Sequence, residues 1–91
     1  MRIFLDVEGA QRVVRQIRET ARQHQEKVRY MQRQLQQILS HWQGDAPQQY
    51  VIAQEEHLQR IQQYIQELLH LADILEKEIN EYLQMDHLDF L

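Results

Sequence analysis

The sequence predicts an all-α protein in which two long antiparallel helices form a hairpin. Only two glycines and one proline occur in 91 residues, so the chain has few positions at which it can turn. Good helix formers, among them 17 glutamines, fill much of the remaining sequence. Apolar residues also recur at alternating spacings of three and four, the pattern of helices that pack side by side. We therefore expect a single helical domain over residues 1–91.

The first helix is predicted over about residues 7–42. Asp6 precedes it and can accept hydrogen bonds from the free N–H groups of the first turn, and Glu8 favours the positive helix end. At 1.5 Å per residue the helix is a rod of about 54 Å. Its apolar stripe consists of Val7, Ala10, Val14, Ile17, Ala21, His24, Val28, Met31, Leu35, Ile38 and Trp42.

A short turn is predicted at residues 43–45. Gly44 can adopt the positive φ that ends a helix, and Pro47 stands where no helical N–H is needed. Trp42 continues the apolar stripe, so we expect its ring to plug the core at the closed end of the hairpin. A connection this short makes the two helices antiparallel neighbours.

The second helix is predicted over about residues 46–85, with a flexible tail at 86–91. An early set, Ala46, Tyr50, Ala53 and His57, is out of phase with the later stripe, which predicts a shift of the buried face before Leu58. The later stripe consists of Leu58, Ile61, Ile65, Leu68, Ala72, Leu75, Ile79 and Tyr82.

The two halves of the chain carry opposite charge. Residues 1–43 hold 8 basic and 4 acidic side chains, and residues 44–91 hold 2 basic and 10 acidic ones. We interpret this as attraction between the helices that helps set their register. The net charge of −4 disfavours nucleic acid as a partner.

Both helices carry more apolar surface than one seam can bury, which predicts a dimer. Two hairpins packed together give a four-helix bundle of coiled-coil type. The additional apolar positions are Val13, Leu39, Val51, Ile52, Leu69 and Ile74. The residues expected in the core and at the dimer contact are Val14, Ile17, Val28, Met31, Leu35, Ile38, Leu58, Ile61, Ile65, Leu68, Leu75 and Ile79.

Composition and spacing argue against an enzyme, a metal and a cofactor. The chain has no cysteine and no glycine-rich phosphate loop, and a thin bundle has no deep cleft. Glu67 and His70 have the i, i+3 spacing of di-iron bundles, yet helical phase points both away from the core. His24 lies on the apolar stripe, where an edge histidine is the expected role. His57 is interpreted in the same way as His24, and His41 and His87 are interpreted as polar side chains of the turn and the tail.

Two short motifs give the chain a resemblance to a known family. Trp42-Gln43-Gly44 lies in the single interior turn, and Tyr82 and Asp86 form a Tyr-x-x-x-Asp motif near the end of the second helix. Over nearly its whole length the chain resembles the WXG helical-hairpin proteins, the small ESAT-like proteins of type VII secretion. The resemblance implies a non-enzymatic protein that dimerises and is exported folded. It also implies that Trp42 and Gly44 of one subunit form, with Tyr82 and Asp86 of the other, a two-part export signal.

The partners implied by this resemblance are a second copy or a related WXG chain, the secretion ATPase, and a larger effector with a helical N-terminus. No cleavable signal peptide is expected, so the protein would be cytoplasmic before export. Two alternatives remain open at this point. One is a cytosolic coiled-coil adaptor, for which Trp42-Gln43-Gly44 is only a turn; the other is a helical effector that inserts its apolar faces into membranes.

Overall fold

The computed structural model describes residues 6–42, 44 and 46–88. Within this part of the chain there are two helices and no strand: α1 spans Val7–His41 and α2 spans Ala46–Leu88. They pack against each other in a hairpin that measures 72 × 17 × 15 Å. The all-α helical hairpin predicted from the sequence is confirmed.

Helix α1 begins at an aspartate cap. Oδ1 of Asp6 accepts a hydrogen bond from the backbone N–H of Gly9 at 3.0 Å, and the Asp6 carbonyl accepts from the N–H of Ala10 at 2.8 Å. A Cβ at residue 9 would overlap the Asp6 carboxylate, so glycine leaves room for the cap. The side chain thereby satisfies one of the free first-turn donors, and the carbonyl accepts the first intrahelical hydrogen bond.

The ends of the helices differ from the predicted ones. Helix α1 ends at His41, because Trp42 is extended with φ −116° and ψ 139°. Gly44 has φ +116°, a conformation that side chains with a Cβ rarely adopt. Helix α2 continues to Leu88, three residues beyond its predicted end, and residues 86–88 contain no glycine or proline to stop the helix. Residues 43, 45 and 89–91 lie outside the described residues.

The core is a single line of residues from each helix. Its members are seven residues apart, so that each helix buries one side chain every two turns. At one end of the hairpin Val14 packs with Ala72 and Ile79, which shows that the start of α1 meets the end of α2. The buried apolar residues are Val14, Ala21, Val28 and Leu35 of α1, and Val51, Leu58, Ile65, Ala72 and Ile79 of α2.

The predicted change of phase in α2 is wrong. Val51 is buried, while Tyr50, Ala53 and His57 are exposed. Because Val51 precedes Leu58 by seven residues, it continues the same buried line toward the turn without rotation of the face.

Candidate functional site

The hairpin has two different flanks beside its buried line. In each helix the residue three positions after a buried one lies on one flank, and the residue four positions after lies on the other. In an antiparallel pair, equivalent flanks of the two helices lie on the same side. Contacts agree with this: Arg18 meets Glu76 on one side, and Ile38 lines a groove with Tyr50 on the other. We call these sides the polar face and the apolar face.

The polar face is held by an arginine of α1. The guanidinium of Arg18 donates to Oδ1 of Asp73 at 3.0 Å and to the carboxylate of Glu76, and these hydrogen bonds raise the pKa of Arg18 above its ordinary value. Among ion pairs between described residues, only these two cross the hairpin. The predicted attraction between the oppositely charged helices is therefore concentrated at one arginine, and sequence reasoning did not single it out.

Other charged groups on α1 pair within the helix. Arg22 donates to Glu19 at 2.6 Å and to Glu26 at 2.6 Å. The hydrogen bond from Arg22 lowers the pKa of Glu19. The same hydrogen bond, together with the negative charges of Glu19 and Glu26, raises the pKa of Arg22. Lys77 lies 4.0 Å from Glu81 in the same manner on α2. These exposed pairs support single helices and do not fix the hairpin.

A groove of about 460 Å³ on the polar face is lined mainly by amides. Gln25, Gln59, Gln62 and Gln66 contribute to it, together with Arg29 and the edges of the buried residues Val28 and Ile65. These side chains offer hydrogen bonds but supply no acid–base pair. This groove is a solvated amide surface. Elsewhere the same flank carries the Arg18 ion pairs and a few apolar side chains, among them Leu39, Leu69 and Leu83.

The apolar face is formed by residues that the hairpin only partly covers. Ile17 and Ile38 of α1 are half-buried, and Met31 between them is 42% exposed. On α2, Ile61, Leu68, Leu75 and Tyr82 are half-buried. Beside them, directly before buried residues, stand the exposed side chains of Tyr50, Tyr64 and Leu71, and Met85 continues this row.

Together the half-buried and exposed positions of α2 form a second stripe with alternating spacings of three and four. We call it the outer stripe; its members are Tyr50, Gln54, His57, Ile61, Tyr64, Leu68, Leu71, Leu75, Glu78, Tyr82 and Met85. The predicted contact list includes Ile61, Leu68 and Leu75 but misses Tyr64, Leu71 and Met85. Tyr64 and Leu71 each directly precede a buried residue, and Met85 follows Leu71 by two heptads, so the heptad spacing would have indicated all three.

The structure corrects the predicted role of Trp42. Its side chain is 66% exposed and does not plug the core, because the helix ends one residue earlier and the extended backbone leaves the helical phase. With Ile38, Pro47 and Tyr50 it lines an apolar groove of about 320 Å³ at the turn end of the hairpin. Gly44 lies in this turn with positive φ.

The second predicted motif lies at the opposite end. Tyr82 is half-buried on α2, and Asp86 lies one turn further along the same helix, with its side chain outside the described part. By helical rise, Tyr82 lies about 54 Å from the start of α2. A single chain thus keeps Tyr82 and Asp86 far from Trp42 and Gly44.

The residues considered for metal binding do not converge. Glu67 and His70 are exposed, and within the described residues no group of three His, Asp or Glu side chains could hold an ion. His24 is half-buried on the apolar face and His57 is exposed there. Nδ1 of His41 lies 2.9 Å from the Gln37 carbonyl, a contact local to the helix end.

Comparisons with known proteins identify one family. The model of the WXG100 family, described as proteins of 100 residues with WXG, matches residues 3–87. Proteins of this family are small helical secretion substrates, not enzymes, and typically dimerise with related WXG proteins. No curated protein and no solved structure matches the chain. No helix in the described part of the chain has the length and hydropathy needed to cross a membrane. The match over residues 3–87 places this chain in the WXG100 family.

Proposed function

We propose that this protein is a non-enzymatic substrate or co-secreted partner of a type VII secretion system and that it acts as a dimer with a two-part export signal. The observation that carries the proposal is the separation of the two motifs. Trp42 and Gly44 occupy one end of a 72 Å rod, and Tyr82 with Asp86 lies near the other. An antiparallel dimer brings the turn of one subunit beside the helix end of its partner, which explains why the signal needs two chains.

The apolar face supports dimerisation by its area. A face of 72 by 17 Å covers roughly 1,200 Å² per copy, above the roughly 800 Å² per partner of a stable interface. Ile17, Met31, Ile61, Leu68 and Leu75 stay partly open to water in the single hairpin. Covering them removes apolar surface from water, the main driving force for association.

The exposed Trp42 supports a recognition role. An indole that is 66% exposed adds little to the core and provides a large flat surface to a receptor. Tyr82 and Asp86 stand four residues apart in α2, the spacing of neighbours on one helix face. We assign the secretion ATPase as the receptor of this composite site, with the protein cytoplasmic before export.

An export assay tests the proposal. The chain is produced in a bacterium with a type VII system, and its amount is measured in the medium and in the cells. Trp42→Ala, Tyr82→Ala and Asp86→Ala should each reduce release at least tenfold, while circular dichroism shows intact helicity and sedimentation shows that each variant still forms dimers at high protein concentration.

Two matched control variants test whether export depends on these particular side chains or falls after any similar truncation. Tyr30→Ala removes an exposed tyrosine ring from the outer side of α1 and is the control for Tyr82→Ala. Glu81→Ala removes an exposed carboxylate near Asp86 in the sequence and is the control for Asp86→Ala. Both should be exported normally. Undiminished release of the Tyr82 and Asp86 variants would overturn the two-part signal, whereas a parent chain that is never released would favour a cytosolic adaptor.

A further inference from the structure

We propose that the partner is a second copy of this chain and that the two α2 helices pair antiparallel about a twofold axis at Leu68. This inference rests on the proposed dimer and specifies its partner and register. It follows from the outer stripe, which an antiparallel second copy matches position by position.

The outer stripe reads as a palindrome. When Leu68 faces Leu68 of the second copy, every other position meets one of compatible chemistry, with apolar residues opposite apolar ones. The pairs are Tyr50 with Met85, Gln54 with Tyr82, His57 with Glu78, Ile61 with Leu75, and Tyr64 with Leu71. Twofold symmetry forms each of these pairs twice.

The two strongly polar members of the stripe select this register. His57 and Glu78 meet, so an imidazole that can donate faces a carboxylate that accepts. A shift by one heptad in either direction places Glu78 opposite Tyr64 or Tyr50. The same shifts place His57 opposite Met85 or Leu71. Of these three registers, only the one at Leu68 pairs the carboxylate with the imidazole and keeps His57 from facing an apolar side chain.

The first helix is compatible with the same axis. The cluster of Val14 with Ala72 and Ile79 places Leu68 about level with Ala21 across the hairpin. The twofold operation therefore stacks α1 on α1 about this level and opposes no two like charges. On the apolar face of α1 the resulting pairs are Val13 with Met31, Ile17 with Lys27, and Thr20 with His24.

The turn end gains a side chain from the second copy. Tyr50 lines the apolar groove with Ile38, Trp42 and Pro47, and the register brings Met85 of the second copy opposite Tyr50. Met85 is 67% exposed in the single hairpin. A flexible thioether suits an irregular apolar groove of about 320 Å³.

The other face-to-face arrangement lacks these matches. A twofold axis parallel to the helices would place turn beside turn and α1 against α2 of the second copy. In that arrangement, residues of α1 and α2 that lie at the same height along the hairpin would meet across the interface. Glu78 would then lie opposite Ala10 and Val13, and His57 opposite Met31 and Gln34. Glu78 would meet only apolar side chains and His57 could hydrogen-bond only to the neutral amide of Gln34, so the antiparallel arrangement, which pairs His57 with Glu78, is favoured.

Cross-linking tests the register in the full-length chain, which has no native cysteine. Leu68→Cys is treated with a bifunctional maleimide that spans about 8 Å, the separation of packed helices. We expect efficient covalent dimers, because residue 68 meets its own copy at the axis. Ile61→Cys and Leu75→Cys alone should cross-link at least tenfold less, since each is about 21 Å from its copy along the helix. Mixing these two variants should restore the cross-link.

Two results would overturn the register. One is that Leu68→Cys fails to cross-link in a solution that sedimentation shows to be dimeric. The other is efficient cross-linking of Leu68→Cys to His24→Cys, which indicates turn-beside-turn packing. Dimers formed by Ile61→Cys alone would likewise contradict an axis at Leu68.

A charge exchange tests the polar pair. His57→Glu sets glutamate against Glu78 twice per dimer and should raise the dimer Kd about tenfold. Adding Glu78→Lys to it should restore most of the affinity. His70→Glu makes the same change on the outer side of α2 and serves as the matched control with unchanged Kd. An equal loss in the single and double variants would contradict the pairing of 57 with 78.

Failure of this inference differs from failure of the proposed function. A chain that stays monomeric alone, yet is exported when a related hairpin is present, would overturn self-pairing and retain the secretion role. A homodimer with the Leu68 cross-link that no type VII machine exports would support the pairing and overturn the proposed function.

Discussion

The apolar face and the polar face border the same line of buried residues, yet they serve different purposes. Arg18, Asp73 and Glu76 form a salt bridge on the polar face, where water already satisfies charged groups. On the apolar face, Leu68, Leu71 and their neighbours meet water without compensation. One line of buried residues therefore holds the hairpin together, and the difference in polarity between its two faces favours the apolar face as the docking surface for a second chain.

The largest effect is expected from a change to the shared core. Ile65 is 1% exposed and belongs to the buried line that supports both faces. Ile65→Ala should lower the free energy of unfolding by about 2–5 kcal/mol through lost burial and a cavity. Urea denaturation at one fixed protein concentration measures this, because dimerisation makes stability depend on concentration.

The control for this change is Ile74→Ala. Ile74 is 41% exposed, so the same truncation there should cost less than about 1 kcal/mol. Equal losses at the two positions would show that the buried line does not dominate the stability of the hairpin.

A smaller effect is expected when a charge is placed on one face. Leu68→Glu puts two carboxylates at the proposed twofold axis and should raise the dimer Kd about 100-fold. The variant should keep its helicity, because residue 68 lies beside the buried line and not in it. Gln62→Glu places the same group on the polar face and should leave the Kd within about twofold. Sedimentation equilibrium measures both, and similar Kd values for the two variants would show that the faces do not differ in docking.

The smallest effect concerns a surface ion pair and its dependence on pH. Arg22 lowers the folded-state pKa of Glu19 below its ordinary value of 4.5. The ionised carboxylate therefore stabilises the fold above pH 4.5, and this contribution is lost as the pH falls through the lowered folded value. Glu19→Gln should be slightly less stable than the parent at pH 7.

Denaturation at two pH values checks this prediction. The difference between Glu19→Gln and the parent should shrink as the pH falls below 4.5 and through the lowered folded-state pKa of Glu19. Because Glu19 is exposed, the difference at pH 7 should be the smallest of the three. A difference that grows in acid would contradict the sign of the shift.

Much of the fold followed from pattern. The alternation of three and four along Val14, Val28 and Leu35 depends only on helix geometry, and it indicated the helices and their buried sides. The cap at Asp6 and the positive φ of Gly44 followed from the local chemistry of those residue types. Local rules were sufficient wherever the deciding neighbours are a few residues away in the chain.

The prediction failed where the partner helix decides. Trp42 has the right spacing for the core, but the helix ends before it and the hairpin has no third layer to cover the ring. Val51 was counted as additional apolar surface, yet it is buried because α1 passes over it. Periodicity indicates a side of a helix, but it does not specify which of two adjacent apolar lines the neighbour will cover.

The sequence by itself determined two long helices, one turn and the family motifs at opposite ends, because helix propensity, capping and heptad spacing act over short distances. The tertiary structure alone decided which line is buried, which face stays apolar and open, and that Arg18 joins the helices. Those outcomes depend on the antiparallel contact between residues more than 50 positions apart, such as Arg18 and Asp73. Burial depends on the contact between the two helices, so it cannot be predicted from the sequence of either helix alone.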